Sequence, residues 1–482
     1  MDSWQSPAIH FFIRGETRFA GAIHTERNNA MSQVKPHTLS GFMELLPEEQ
    51  NMMERLLDTL RRSYALYGFT PLDTPVIESA DVLLAKGGGE TEKQIYRFRK
   101  GDSDLALRFD LTVPLAKYVA LHANELTFPF RRYQIGKVYR GERAQRGRFR
   151  EFYQADIDVI GDGKLDIMNE AEIPAVIYRT FHALGLEKFR IRVNNRKVLN
   201  GFFAILGLTE QAGDVMRTVD KLEKIGPDKV RAILTEDFAV PAAAADELLS
   251  FISCPGSSAD KLSFLETYRG RNDIFDAGLT ELATVVNYVS AFGVPEANFE
   301  VDLTIARGLD YYTGTVYETI LTDHPEIGSI CSGGRYDNLA EYYTDRTLPG
   351  VGISIGVTRL FYVLQEQKML SEEILTAPAD AVVIPMGADC TAFAVETATV
   401  LRAAGVRTQV YFEERKFKQK IGFADRSGIP FALIIGSDEA AEGVAGVKDM
   451  ATGEQRKLAP ADAAAYILSA LEARKNCRVI TD

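Results

Sequence analysis

Four cysteines in 482 residues, Cys254, Cys331, Cys390 and Cys477, lie far apart and form no CxxC pair. That spacing excludes a zinc knuckle and a disulfide framework, and it fits a reducing, cytoplasmic location. No apolar run approaches the ~18 residues a membrane span needs, so no membrane partner is expected. Nor is a secretory leader expected, because the apolar stretch Ile9 to Ile13 is broken by Arg14, Glu16 and Arg18. The glycine-rich stretch Lys86 to Glu90 has no GK[ST] ending, which excludes a P-loop and leaves a mobile surface loop as the expectation. Positive charge is in deficit, with a formal net charge of −12. Any surface for a polyanion must therefore be local.

Such a surface is present. Between Arg131 and Arg150 stand eight Arg or Lys side chains against one acid, Glu142. Like charges at this density repel one another and persist where phosphates neutralise them. Tyr133, Ile135, Val138, Tyr139, Phe149 and Phe152 interleave with the cations, which predicts two strands, Arg132 to Tyr139 and Phe149 to Ile160, joined by a basic loop. The competing reading is a solvated edge hairpin that uses charge against aggregation.

With 46% hydrophobic residues the chain can bury a large core and should divide into two or three domains. Residues 1–34 have weak periodicity and read as a flexible extension, with Met31 a second candidate start. Helical spacing of Met52, Met53, Leu56, Leu57, Leu60 and Tyr64 predicts an amphipathic helix over Glu48 to Tyr67, followed by a strand from Phe69 to Pro75. A strand over Leu105 to Thr112 and a helix from Pro114 to Ala123 come next. Beyond the basic hairpin, Ile167 to Leu184 reads as a helix and Phe189 to Asn194 as a strand. Residues 196–298 read as a helical insertion. Strands resume at Phe299 to Ile305, Val316 to Leu321 and Ser329 to Ser332, and Leu360 to Gln365 is helical. The catalytic domain is thus expected in two parts, 35–195 and 299–366. A linker at 367–378 leads to a domain over 379–482, in which strands alternating with helices predict a small α/β fold with a mostly parallel sheet.

Five blocks carry a resemblance. They are Tyr139-Arg140-Gly141-Glu142-Arg143; Gly147-Arg148-Phe149-Arg150-Glu151-Phe152-Tyr153-Gln154; Ala306-Arg307-Gly308-Leu309-Asp310-Tyr311-Tyr312; Ser332-Gly333-Gly334-Arg335-Tyr336-Asp337; and Gly352-Ile353-Ser354-Ile355-Gly356-Val357-Thr358-Arg359-Leu360. In this order they resemble the histidyl-tRNA synthetase family, from about Gly41 to the C-terminus. The first two resemble motif 2 of class II aminoacyl-tRNA synthetases and the last resembles motif 3. Phe69-Thr70-Pro71-Leu72-Asp73-Thr74-Pro75 takes the place of motif 1, at a homodimer interface. The fold class implied is an α+β class II synthetase catalytic domain, an antiparallel sheet flanked by helices, with a helical insertion and a C-terminal α/β anticodon-binding domain.

The resemblance implies activation of L-histidine with ATP and Mg²⁺ and transfer of histidine to tRNA(His). It assigns Arg140, Arg307 and Arg359 to catalysis, clamping the phosphates where charge develops on nonbridging oxygens. Glu142 is placed at the adenine end, and Phe152 on the adenine face opposite Arg359. Asp110 and Asp158 become the acids for the amino acid, Thr112 and Gln154 their hydrogen-bonding companions, and Tyr311, Tyr312 and Tyr336 the imidazole pocket. Period two puts Asp156 and Asp158 on the same strand face, and spacing alone does not choose between them. For tRNA, Arg143 and Gln145 would meet the acceptor end. Arg415, Lys416 and Lys418, around Phe417, would meet single-stranded bases.

Two departures stand out. Thr358 precedes the motif 3 arginine where the family usually has Glu, and Arg143-Ala144-Gln145 replaces the Arg-Pro-Gln of many bacterial relatives. Two competing readings are a synthetase-like regulatory subunit of ATP phosphoribosyltransferase and a nonenzymatic tRNA sensor.

Overall fold

The computed structural model describes residues 34–85, 90–143, 147–305, 311–370 and 376–472. The predicted extension at 1–33, the glycine-rich loop at 86–89, Arg307 and Gln145 lie outside the described residues. The chain divides into two units at Thr38/Leu39. In the first, residues 34–38 are exposed and belong to no helix or strand. Everything below concerns the second.

Helix α1 (Pro47–Ala65) begins with proline in its first turn and two acids, Glu48 and Glu49, against the helix dipole. Its apolar stripe, Met52, Met53, Leu56, Leu57, Leu60 and Tyr64, is buried as the periodicity predicts. The predicted strand after it contracts to β1 (Thr70–Pro71), since Pro71 and Pro75 interrupt any longer ladder. Strands β2 (Ile77–Ser79), β3 (Arg97–Lys100) and β4 (Ser103–Leu107) form a small separate sheet in the order β2-β4-β3. Helix α2 (Thr112–His122) starts earlier than Pro114, because the Asp110 carboxylate accepts from the amides of Thr112 and Val113 at 3.2 and 2.9 Å and so caps the first turn. Thr112 thereby belongs to the helix and not to a strand.

The basic hairpin is β5 (Phe130–Tyr139) and β6 (Glu151–Ile160), antiparallel over their full length. Helix α3 (Met168–Leu184) leads to β7 (Phe189–Asn195). The insertion that follows is helical, and α4 (Arg196–Ile205) packs against its last long helix, α5 (Asp273–Val289). The chain then adds β8 (Phe299–Val301), β9 (Thr315–Leu321), β10 (Cys331–Tyr336) and β11 (Gly350–Gly356), which runs into α6 (Val357–Glu366). Eight strands make one sheet in the order β1-β5-β6-β11-β10-β9-β7-β8. It is antiparallel except at its two edge pairs, β1 with β5 and β7 with β8.

Alternation divides the sheet into two faces. On β6, Ala155, Ile157 and Val159 point into the core shared with α1 and α3, and Gln154, Asp156 and Asp158 point the other way. The polar face is the floor of the site.

The C-terminal part holds β12 (Ala381–Pro385), α7 (Thr391–Ala403), β13 (Thr408–Val410), α8 (Phe417–Arg426), β14 (Phe431–Ile435), β15 (Ala445–Asp449), β16 (Gln455–Leu458) and α9 (Pro460–Glu472). Its sheet order is β13-β12-β14-β15-β16. The expectation of a mostly parallel sheet needs correction. β12 pairs in parallel with β13 and β14, but β14–β15 and β15–β16 are antiparallel. The cause is the β15–β16 hairpin, whose second strand, Gln-Arg-Lys-Leu, is largely exposed and shows no apolar pattern.

Candidate active site

A cleft of about 500 Å³ opens on the polar face of the large sheet. Its floor and walls come from β6 and the loop that leads into it, the start of α2, strands β9, β10 and β11, and the start of α6. Glycines make this floor possible. A Cβ on Gly352, directly opposite Asp158 in the β6–β11 register, would collide with the Asp158 carboxylate. One on Gly334 would meet the Thr315 carbonyl at 2.7 Å and the Tyr312 ring at 3.0 Å. Gly334 thus makes room for the Tyr312 ring.

At one end, the Arg140 guanidinium lies between two aromatic rings, 4.3 Å from the centroid of Phe109 and 5.0 Å from that of Phe152. Its Nε donates to the Phe109 carbonyl at 3.2 Å, which fixes the plane of the fork. Burial pulls its pKa down, while Asp110 and then Glu142 oppose that pull. Arg359, the third residue of α6, donates through Nη2 to the Ile327 carbonyl. Its pKa is lowered by burial and by neighbouring Arg148, which also lines the cleft and lies 3.6 Å from Glu142. Three guanidinium groups and two aromatic rings therefore define an end suited to a polyphosphate and a flat base.

At the other end the groups are acidic and phenolic. Tyr336 Oη donates to Asp158 Oδ1 at 2.5 Å, and Arg132 Nη2 lies 2.7 Å from Asp158 Oδ2. Arg132 is fully buried and also donates to the Leu111 carbonyl at 3.1 Å. Tyr311 packs edge-on against Tyr312 and Tyr336, with centroids at 5.0 and 5.9 Å, and shares a hydrogen bond with Thr112. Burial raises the pKa of all three phenols, so they remain neutral hydrogen-bonding groups. Desolvation also pushes Asp156 up to about 7 and Asp158 to about 6, each opposed by Arg132.

The cleft thus gathers Asp110, Thr112, Arg140, Glu142, Phe152 and Gln154 with Asp158, Tyr311, Tyr312, Tyr336 and Arg359. Arg143 is exposed and does not line the cleft. Arg415, Lys416 and Lys418 are exposed beside half-open Phe417 at the start of α8, in the C-terminal part. Thr358 is buried and faces β6, and its hydroxyl accepts from the Tyr153 amide at 2.8 Å. It ties α6 to the hairpin instead of orienting Arg359, so no substitute acid is needed at that contact. Sequence reasoning missed Phe109, which carries the Arg140 fork, and Arg132, the buried partner of Asp158. It also assigned nothing to Arg335, which bonds Glu170 of α3 at 2.6 Å and Asp337 at 2.8 Å. Arg335 thereby anchors β10 to the helix behind the sheet.

An antiparallel sheet carrying a motif 2 hairpin, with a motif 3 strand and helix beside it and arginines from both converging on one cleft, defines a class II aminoacyl-tRNA synthetase fold. The histidyl-tRNA synthetase family profile matches residues 41–360, and an anticodon binding domain profile matches residues 380–470. The histidine–tRNA ligase of Clostridium tetani is 53% identical over 437 residues, covering 91% of this chain and 99% of that protein. The crystal structure of histidyl-tRNA synthetase from Nostoc sp. PCC 7120 superposes with a TM-score of 0.84 at 43% identity, covering 91% of this chain and all of that one. The chain belongs to the histidyl-tRNA synthetase family. An ATP phosphoribosyltransferase regulatory subunit/histidyl-tRNA synthetase structure from Bacillus halodurans shares the fold, with a TM-score of 0.68 at 21% identity, covering 83% of this chain and 99% of that one.

Proposed function

We propose that the protein is a cytoplasmic, homodimeric histidine–tRNA ligase. It joins L-histidine and ATP, supplied as its magnesium complex, into histidyl-adenylate and pyrophosphate. It then transfers the histidyl group to the 3′ end of tRNA(His). One observation carries this reading: a single cleft joins a guanidinium and aromatic end to a phenolic and carboxylate end. A nucleotide fits the first and an amino acid with a polar ring fits the second.

In the first step a histidine carboxylate oxygen attacks the α-phosphorus, and the bond to the bridging oxygen of pyrophosphate breaks. No protein nucleophile takes part. The chain contributes fixed positive charge where the nonbridging oxygens gain negative charge. Arg140 has its Nε engaged and its guanidinium set against the Phe109 and Phe152 rings, so the outer edge of its fork is left for carboxylate and α-phosphate together. Arg307 takes the other side of that phosphate. Arg359 reaches the γ-phosphate and stacks on adenine, with Phe152 on the opposite face and Glu142 at the adenine edge. Asp110 with Thr112 and Gln154 receives the ammonium, and Tyr311, Tyr312, Tyr336 and Asp158 enclose the imidazole. Magnesium would enter as part of the nucleotide, bound through its phosphate oxygens.

For tRNA, Arg143 and Gln145 meet the acceptor end, and residues 379–482 bind the anticodon through Arg415, Lys416 and Lys418. Residues 35–195 and 299–366 make the catalytic domain, 196–298 an insertion, 367–378 a linker, and 1–34 an N-terminal extension. The deciding experiment is histidine-dependent exchange of pyrophosphate into ATP, which the wild-type protein should catalyse and Arg307→Ala should abolish while still binding histidine. Absence of exchange with tRNA binding intact would indicate a tRNA sensor. Absence of both would indicate a regulatory subunit.

A further inference from the structure

The catalytic and C-terminal parts share no buried apolar cluster among the described residues, so no common core fixes one against the other. Polar contacts meet instead at Thr376, near the end of the linker. On the catalytic side, Asn51 Nδ2 donates to the Thr376 carbonyl at 2.5 Å, and the Thr376 hydroxyl donates to Glu48 Oε1 at 3.2 Å. Both partners belong to the first turns of α1. That end of α1 is itself held. Glu49 accepts from the Leu46 amide at 2.9 Å and from Gln365 Nε2, at the end of α6, at 2.6 Å, and Met52 and Met53 follow into the core. On the other side, Ala377 is buried among Val382, Ile384 and Ala432 of the C-terminal part. Arg407, the residue before β13, spans this end of the linker. Its Nη1 donates to the Ala377 carbonyl at 3.4 Å, while Nε and Nη2 hold the two oxygens of Asp380 at 3.1 and 2.6 Å. From Arg407 the chain runs through β13 to Arg415, Lys416 and Lys418.

Resting on the histidine–tRNA ligase reading above, we propose that Asn51 is a positioning residue for tRNA. With Glu48 it clasps Thr376 and so sets the anticodon-binding part at a fixed distance and angle from the active site, while Arg407 locks the same joint from the far side. A tRNA that touches both parts binds through two surfaces. The second contact gains from the effective concentration that a stiff joint of the right span provides. A linker free to swing spreads the anticodon-binding part over a larger volume and weakens that gain. Asn51, Glu48 and Thr376 do not line the cleft, so the clasp serves the meeting with tRNA and not the activation of histidine.

The test is Asn51→Ala in the full-length protein, at a partly open helix position that suits alanine. The KM for tRNA(His) in charging should rise about three- to tenfold, the scale of one lost hydrogen bond. The charging rate at saturating tRNA and histidine-dependent pyrophosphate exchange should stay at their wild-type values. An RNA hairpin that copies only the acceptor stem and 3′ end cannot reach the anticodon-binding part, so its charging should be the same in variant and wild type. Arg407→Gln, acting from the other side of the joint, should raise the same KM and again spare exchange. An unchanged KM for tRNA in either variant would overturn the proposal. So would an equal loss on the hairpin or in exchange, which would place the effect of Asn51 in the catalytic part itself. Failure of the underlying ligase reading would look different, since wild-type protein would then charge no tRNA at all.

Discussion

Arg132 and Asp158 stand directly opposite each other in the β5–β6 ladder, Nη2 to Oδ2 at 2.7 Å, with neither side chain open to solvent. An ion pair in such a place adds little net stability but is costly to break, because the survivor is left charged and dry. Asp158→Asn should therefore destabilise the protein by about 3–5 kcal/mol in urea denaturation. Replacing both, as Arg132→Met with Asp158→Leu, should cost clearly less than the single change. Equal losses in the single and double variants would show that the pair is not coupled.

Arg140 gives a sharper functional expectation. Its guanidinium is held by the Phe109 carbonyl and by two rings, so its direction depends on its neighbours as well as its charge. Arg140→Lys keeps the charge but loses the planar fork, and exchange should fall about 10²- to 10³-fold, the effect of losing one aligned group at a developing oxyanion. Phe109→Leu should cost less, about three- to thirty-fold, in line with a cation–π contact of about 0.5–2 kcal/mol. Steady-state exchange measures both, and an unimpaired Arg140→Lys protein would remove the fork from the mechanism.

The floor of this site was largely legible in the sequence, because strand alternation alone puts Gln154, Asp156 and Asp158 on one face. The blocks around Arg140, Tyr311 and Arg359 showed which distant segments meet. Arg132 was not legible as the partner of Asp158, since cross-strand register depends on the turn at residues 140–150, whose geometry composition does not fix. Phe109 escaped for a similar reason: it lies 31 residues before Arg140 and reaches it only through the fold. The exposed β16 strand, Gln455–Leu458, has no buried face to betray it. Thr358 reads in the sequence as a lost carboxylate, because the contact its hydroxyl makes with the Tyr153 amide exists only in the fold.

That hydroxyl can be tested directly. Thr358→Val keeps the shape and leaves the Tyr153 amide without its acceptor, which should cost about 1–3 kcal/mol. The loss should appear as a lowered melting temperature with a modest rise in the KM for ATP, since the bond joins α6 to the hairpin that carries Phe152. A variant as stable as wild type would show that the contact is incidental.

The acid pair on β6 also sets a pH dependence. Burial raises Asp156 to about 7 and Asp158 to about 6 in the folded protein, against about 3.9 in an unfolded chain. Between those values the native state holds protons that the unfolded state has released, so this contribution to stability is complete below about pH 4 and is lost as pH rises through about 6 to 7. Other groups act on the same site: Arg132 opposes both shifts, Asp110 adds to both, and Ser354 lowers Asp156. Asp156→Asn carries no titrating proton there. It should gain on wild type steadily as pH rises from about 4 to 7.5, with no gain below about pH 4. Parallel stability curves for the two proteins between these values would mean that Asp156 does not hold its proton in the folded state.

The last expectation concerns the C-terminal part. Its buried clusters draw only on residues from Ala377 onward, and the main core around the large sheet uses none beyond Leu370. Removing residues 379–482 should therefore leave the catalytic core intact and pyrophosphate exchange within about threefold of wild type, because no residue assigned to adenylation lies there. Charging should respond differently. The removed surface carries Arg415, Lys416 and Lys418 around exposed Phe417, and each base stacked on such a platform is worth about 1–3 kcal/mol. At limiting tRNA the truncated protein should charge at least about tenfold more slowly. Raising the salt concentration should slow charging by the full-length protein and leave its exchange rate almost unchanged. A truncated protein that charges tRNA as well as the intact chain would mean that these cations bind something else, and the anticodon would have to be read elsewhere or not at all.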